Sequence, residues 1–188
     1  PYTYSFPRPA LTADIALFGV EGNRLVVLLI QRKNAPYAGH WAFPGGFVDQ
    51  DEDLIEAAYR ELEEETGLQA QCLHQIYTFG PPGRDPRGHT VSVLYSALVP
   101  HQQMRAQGAD DAADAQWFPI DALPPLAFDH QGLLQTALEY WRQRARHRPI
   151  GRELLPDFFA IDQLRNVYEA LFNKNLDPEL FAHRLTQM

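Results

Sequence analysis

Two apolar runs, LTADIALFGV (residues 11–20) and RLVVLLIQRK (residues 24–33), stand close together with EGN between them. Stretches rich in branched and large aliphatic residues, split by a glycine-containing turn, predict a β-hairpin. NAPYAGHWAFPGG then reads as a loop. From Asp53 to Thr66 the positions Ile55, Ala58, Tyr59, Leu62 and Thr66 recur at helical spacing and predict one stripe of an amphipathic helix. Gly67 reads as its stop, with Leu68 starting the next strand. LQAQCLHQIYTFG and HTVSVLYSALV read as strands around a Gly/Pro-rich loop, and DAQWFPI as a short strand. Residues 128–146 predict a long amphipathic helix through Leu133, Leu134, Ala137, Leu138 and Trp141. Strands with helices on either side predict a three-layer α/β arrangement.

The polar face of the first helix is acidic. Glu61, Glu64 and Glu65 stand at i, i+3 and i+4, so their carboxylates share one edge. Like charges at that spacing repel, which makes poor sense as stability design and good sense if a divalent cation sits among them. Gly45 and Gly46 fit a tight loop that brings backbone close to the helix, where a carbonyl can complete a metal shell.

The spacing extends further. Gly46, five residues, Glu52, seven residues, Arg60-Glu61-Leu62, one residue, Glu64-Glu65, one residue and Gly67-Leu68 form one pattern. Even seven of these nine identities at fixed offsets would arise by chance with a probability on the order of 10⁻⁶. The pattern resembles the box of the Nudix hydrolase family. That resemblance implies a Nudix α/β/α sandwich with a mixed sheet. It implies Mg²⁺, or alternatively Mn²⁺, held by Glu61, Glu64, Glu65 and the Gly46 carbonyl, with Arg60 and Glu52 paired in support of catalysis. The implied reaction is hydrolysis of a nucleoside diphosphate linked to another moiety. Either Glu64, Glu65 or a loop aspartate would serve as general base.

Outside the box, PRPALTADIALF, WAFPGGFVD, FGPPGRDPRG and DDAADAQWFPIDALP look similar to bacterial ADP-ribose pyrophosphatases of that family. Pro82 lies fifteen residues beyond Gly67, where ADP-ribose-hydrolysing members are similar in carrying proline. The implied substrate is ADP-ribose, cleaved to AMP and ribose 5-phosphate, with other NDP-sugars, NADH and dinucleoside polyphosphates as the alternatives that the box leaves open. In this reading Arg32 at a strand end and Arg84, Asp85 and Arg87 in the loop contact phosphates or the terminal ribose; a solvated charged loop is the other reading of the same residues. Trp41 and Phe43 read as core or as a stacking face for adenine. Asp110 and Asp111 precede the DAQWFP strand, where Nudix enzymes often place a further ligand or base.

Charge and composition narrow the partners. With a net charge of −8, general attraction to nucleic acid or anionic lipid is not expected, so an anionic substrate must be met locally. No apolar run approaches a membrane span, and PYTYSFPRPA lacks signal-peptide character, so a soluble cytoplasmic protein is expected. The single cysteine, Cys72, sits in an apolar stretch and reads as a buried core thiol.

The final segment, ELLPDFFAIDQLRNVYEALFNKNLDPELFAHRL, resembles the winged-helix part of Nudix-related transcriptional regulators of NAD metabolism. An ADP-ribose-sensing regulator is therefore the alternative function. Two features argue against DNA as a partner: four Lys/Arg stand against six Asp/Glu from Gly151 onward, and no β-hairpin wing follows DPELFAHRL. The expected division is a Nudix domain over residues 1–149 and a small winged-helix-like helical region over 150–188. Similar enzymes are commonly homodimers, so a homodimer is expected.

Overall fold

The computed structural model describes residues 5–100 and 114–188. Its elements run β1 (Ala10–Glu21), β2 (Arg24–Gln31), β3 (Trp41–Ala42), β4 (Gly45–Phe47), α1 (Leu54–Thr66), β5 (His74–Phe79), β6 (Thr90–Leu98), β7 (Ala115–Pro119), α2 (His130–His147), α3 (Ile161–Phe172) and α4 (Pro178–Leu185). Among the described residues one mixed sheet of seven strands forms. β1 is its centre: it pairs antiparallel with β2, parallel with β6 from Ala10↔Thr90 to Phe18↔Leu98, and antiparallel with β4. β5 flanks β6, while β3 and β7 both pair with β2.

Successive side chains of a strand point to opposite faces, so β1 and β2 supply two cores at once. Ala13, Ile15 and Leu17 with Val26 and Leu28 meet Ala57, Ala58 and Leu62 of α1. Ala16, Phe18, Val27 and Leu29 meet Leu133, Leu134, Ala137, Leu138 and Trp141 of α2 on the other side. The layers are therefore helix, sheet, helix, the Nudix-type α/β/α sandwich. Trp141 is anchored as well as buried, its indole N–H donating to Ser96 Oγ at 2.8 Å.

Local chemistry sets the bounds of α1. Asp53 is its N-cap in a reciprocal box with Glu56, and Gly67 ends it in the left-handed region at φ 68°. The following strand does not begin at Leu68. It begins at His74, because the residues between fold beneath α1: Ala70 and Leu73 are buried, and the Leu73 amide donates to Tyr59 Oη at 3.1 Å. Cys72 is exposed, not a core thiol, since Leu73 takes the inward position beside it.

α3 and α4 do not build a core of their own. Leu164, Tyr168, Leu171 and Phe181 join the α2-side cluster, and the Ile150 amide donates to Tyr168 Oη at 3.1 Å. The apolar packing thus runs across the division expected near residue 149. Among the described residues no helix is long and apolar enough to cross a membrane.

Candidate active site

β4 lies against the start of β1, and α1 follows it directly, so the glycine loop and the acidic helix edge are held together by the sheet. The approach is close. A Cβ on Gly45, at φ 151°, would fall 2.2 Å from the Ala13 carbonyl oxygen, and one on Gly46 would fall 2.3 Å from Glu61 Oε1. Only glycine allows both contacts. Glu65 Oε2 accepts the Gly45 N–H at 2.8 Å, which ties helix to loop.

Arg60 organises the rest of the edge. Its Nε and Nη2 donate to the two carboxylate oxygens of Glu52 at 2.7 and 2.8 Å, a bidentate pair. Nη1 donates to Glu61 at 2.8 Å and to Glu64 at 3.2 Å, and Nη2 also reaches the Phe47 carbonyl at 3.2 Å. This crowd of carboxylates raises the Arg60 pKa. Burial pushes the Glu61 carboxyl up, against the Arg60 hydrogen bond. Burial likewise pushes Glu65 up to about 8, opposed by the Gly45 amide and reinforced by Glu61 and Asp14. Glu64 is exposed.

Among the described residues no three Asp, Glu, His or Cys side chains converge as a metal cluster, because Glu61 and Glu64 both turn to Arg60. The donor set nevertheless fits a hard divalent cation: three carboxylates on one helix edge, two of them desolvated, beside a glycine backbone that a Cβ would obstruct.

Beside this edge opens a cleft of about 150 Å³, walled by Asp14, Arg32, Phe43, Gly45, Gly46, Phe47, Arg84, Asp85, Arg87, Phe128 and His130, among others. Arg32, Arg84, Asp85 and Arg87, nominated from sequence, come together here. Their commitments differ. The Arg84 side chain is 7% exposed and gives a bidentate pair to Asp129, at 2.9 and 2.7 Å, just before α2. Arg87 grips Asp85, with Nη2 to Oδ2 at 2.7 Å, and this pairing holds the Asp85 carboxyl below its usual range. Arg32 donates to backbone carbonyls, of Pro36 at 3.0 Å and Asn34 at 3.5 Å, and its guanidinium lies 4.7 Å from the Phe128 ring centroid. Burial and the neighbouring Arg87 lower its pKa. Pro82 is exposed and stands outside the cleft lining. Asp110 and Asp111 lie outside the described residues.

Phe43 is core, stacked on His130, and Trp41 packs edge-on against Phe118. Sequence reasoning passed over Asp14, Phe128, Asp129 and His130. Asp14 did carry a signal, a carboxylate inside an apolar strand run, where burial is costly without a purpose. The other three carried none, since their neighbours come from distant segments.

Comparison with known proteins decides the family. The NUDIX domain model matches residues 8–137. The chain belongs to the Nudix hydrolase family. This Nudix hydrolase is 38% identical over 186 residues to the ADPR responsive transcriptional repressor NtrR of Acinetobacter baylyi, covering 97% of this chain and 74% of the relative. It is also 38% identical over 133 residues to the ADP-ribose pyrophosphatase of Methanocaldococcus jannaschii, covering 71% and 78%. Among solved structures, Shewanella oneidensis NrtR complexed with a 27mer DNA superposes with a TM-score of 0.82 at 36% identity, covering 94% of this chain and 82% of that one. Nudix hydrolases generally use divalent cations, which agrees with the donor chemistry of the α1 edge.

Proposed function

We propose that this Nudix hydrolase cleaves ADP-ribose to AMP and ribose 5-phosphate with Mg²⁺, or Mn²⁺, as cofactor. The observation that carries the reading is the junction of the α1 carboxylates with the Gly45-Gly46 loop at the edge of an arginine-walled cleft. ADP-ribose is the ligand named for both the repressor and the pyrophosphatase relatives. Glu61, Glu64, Glu65 and the Gly46 carbonyl would hold the cation. When bound, it neutralises charge on the diphosphate oxygens and lowers the pKa of a coordinated water. Arg60 and Glu52 keep the helix and loop in register. Arg32 takes a phosphate, while Arg84, Asp85 and Arg87 shape the cleft wall, with Pro82 in their loop. A box carboxylate, Glu64 or Glu65, or one of Asp110 and Asp111, accepts the proton of the attacking water. Release of AMP from ADP-ribose with Mg²⁺, and none with EDTA, is the expected result; no turnover with either Mg²⁺ or Mn²⁺ would refute the proposal.

A second reading is an ADP-ribose-responsive regulator that works on DNA. It is favoured by the similarity to the repressor over 97% of the chain, α3 and α4 included. In this division residues 1–149 are the Nudix unit and 150–188 the appended helical region. The acidic balance after Gly151 weighs on the other side, because each phosphate contact needs a cation. We infer a homodimer in either case. Mobility-shift titration with the DNA upstream of its own gene separates the two readings: a nanomolar, sequence-specific complex dissolved by ADP-ribose makes this chain a sensor.

A further inference from the structure

We infer that Asp14 and His130 form a donor-acceptor pair that reads one ribose hydroxyl of the substrate, an inference that rests on the ADP-ribose reading above. The cleft is walled by three arginines, which suits phosphate, yet two of its buried polar groups do not suit an anion. Asp14 is 8% exposed and His130 is 4% exposed. A buried carboxylate beside a phosphate site repels an anion, and the oxygen that the Ser92 hydroxyl leaves free suits a neutral group that donates a hydrogen bond.

The geometry specifies that partner. His130 Nδ1 accepts the Phe43 N–H at 3.0 Å, which leaves the ring proton on Nε2. Burial favours the neutral ring. Nε2 lies 3.8 Å from Asp14 Oδ1, too far for a direct hydrogen bond. The other Asp14 oxygen accepts the Ser92 hydroxyl, which pins the carboxylate from behind. Asp14 Oδ1 and the Nε2 proton thus face the same gap unsatisfied by each other. A hydroxyl is both acceptor and donor: its oxygen accepts a hydrogen bond from the Nε2–H and its own O–H donates one to Oδ1, each at roughly 2.8 Å. The cleft holds about 150 Å³, below the roughly 300–1,000 Å³ of a site that encloses a whole ligand, so it has room for one sugar ring and leaves the rest of the nucleotide outside.

The hydroxyl can come from the terminal ribose or from the adenosine ribose, and binding measurements tell them apart. Calorimetric titrations of the full chain in EDTA, where turnover does not consume ligand, use ADP-ribose, ADP and 2′,3′-dideoxy-ADP. His130→Asn keeps an acceptor for the Phe43 amide while removing the Nε2 donor, and Asp14→Asn keeps the shape of the carboxylate. Each variant is expected to weaken ADP-ribose by about 10–100-fold, leaving 2′,3′-dideoxy-ADP within about threefold. Unchanged ADP binding assigns the terminal ribose; parallel weakening of ADP assigns the adenosine ribose. Wild-type protein that binds ADP-ribose no tighter than 2′,3′-dideoxy-ADP, or variants that weaken all three ligands alike or none, overturn the inference. Because hydrolysis is not read, absence of AMP release would refute the proposed function while this hydroxyl preference stood.

Discussion

Glu65 hands one carboxylate oxygen to the Gly45 amide at 2.8 Å, so the acidic edge of α1 and the glycine loop of β4 form one unit. Burial pushes the carboxyl of this glutamate up to about 8 against that contact. It is desolvated where Glu64 is solvated.

Glu65→Gln is expected to lower ADP-ribose hydrolysis by at least about a hundredfold with the fold intact, because the amide still accepts the Gly45 N–H but offers a cation no charge. Glu64→Gln is expected to act similarly through the metal. Steady-state kinetics with a melt in EDTA check both; near-wild-type turnover in the pair would contradict the assignment.

The pH dependence follows from the same carboxyl. Its folded value of about 8 lies above the ordinary 4.5, so the neutral form is favoured by folding. Stability from this group in the metal-free protein is fully present below about 4.5 and lost as the pH rises through about 8. Melts in EDTA should therefore fall over that window, less steeply in Glu65→Gln. Cation binding must displace the proton, so apparent Mg²⁺ affinity should rise toward pH 8.

Arg32 and Arg84 should part company on substitution. Arg84→Ala leaves Asp129 without its fork and releases the loop from α2, an expected loss of about 1–3 kcal/mol in urea unfolding, only partly restored by Arg84→Lys. Arg32→Ala, whose protein partners are carbonyls and a ring, should stay within about 0.5 kcal/mol in stability and raise KM for ADP-ribose roughly tenfold or more. Equal melts for both variants would show that the pairings are not the difference.

Removal of the residues after Ile150 strips Leu164, Tyr168, Leu171 and Phe181 from the α2-side core. The shortened chain is expected to melt at a lower temperature by several degrees, since apolar area returns to water. Its turnover should change little, because the box packs on the opposite face of the sheet. A melt equal to that of the full chain would mean that the C-terminal helices stand apart.

What could be read along the chain is what short-range physics decides. The helical stripe of α1, its stop at Gly67, the alignment of Glu61, Glu64 and Glu65 on one edge and the β1–β2 hairpin each depend on residues a few positions apart. Their spacing therefore contains them, and with the box it contained the family. The strand start at His74 and the exposure of Cys72 escaped because they depend on what Tyr59 and Ala70 meet beneath the helix, not on local apolarity. The cleft was beyond reach for the same reason at larger scale. Arg84 meets Asp129 across 45 residues, Asp14 meets Ser92 across 78, and Phe43 meets His130 across 87. Parallel pairing of β1 with β6 and docking of α2 bring these groups together, and no periodicity in one segment encodes a partner that only the packed sheet delivers.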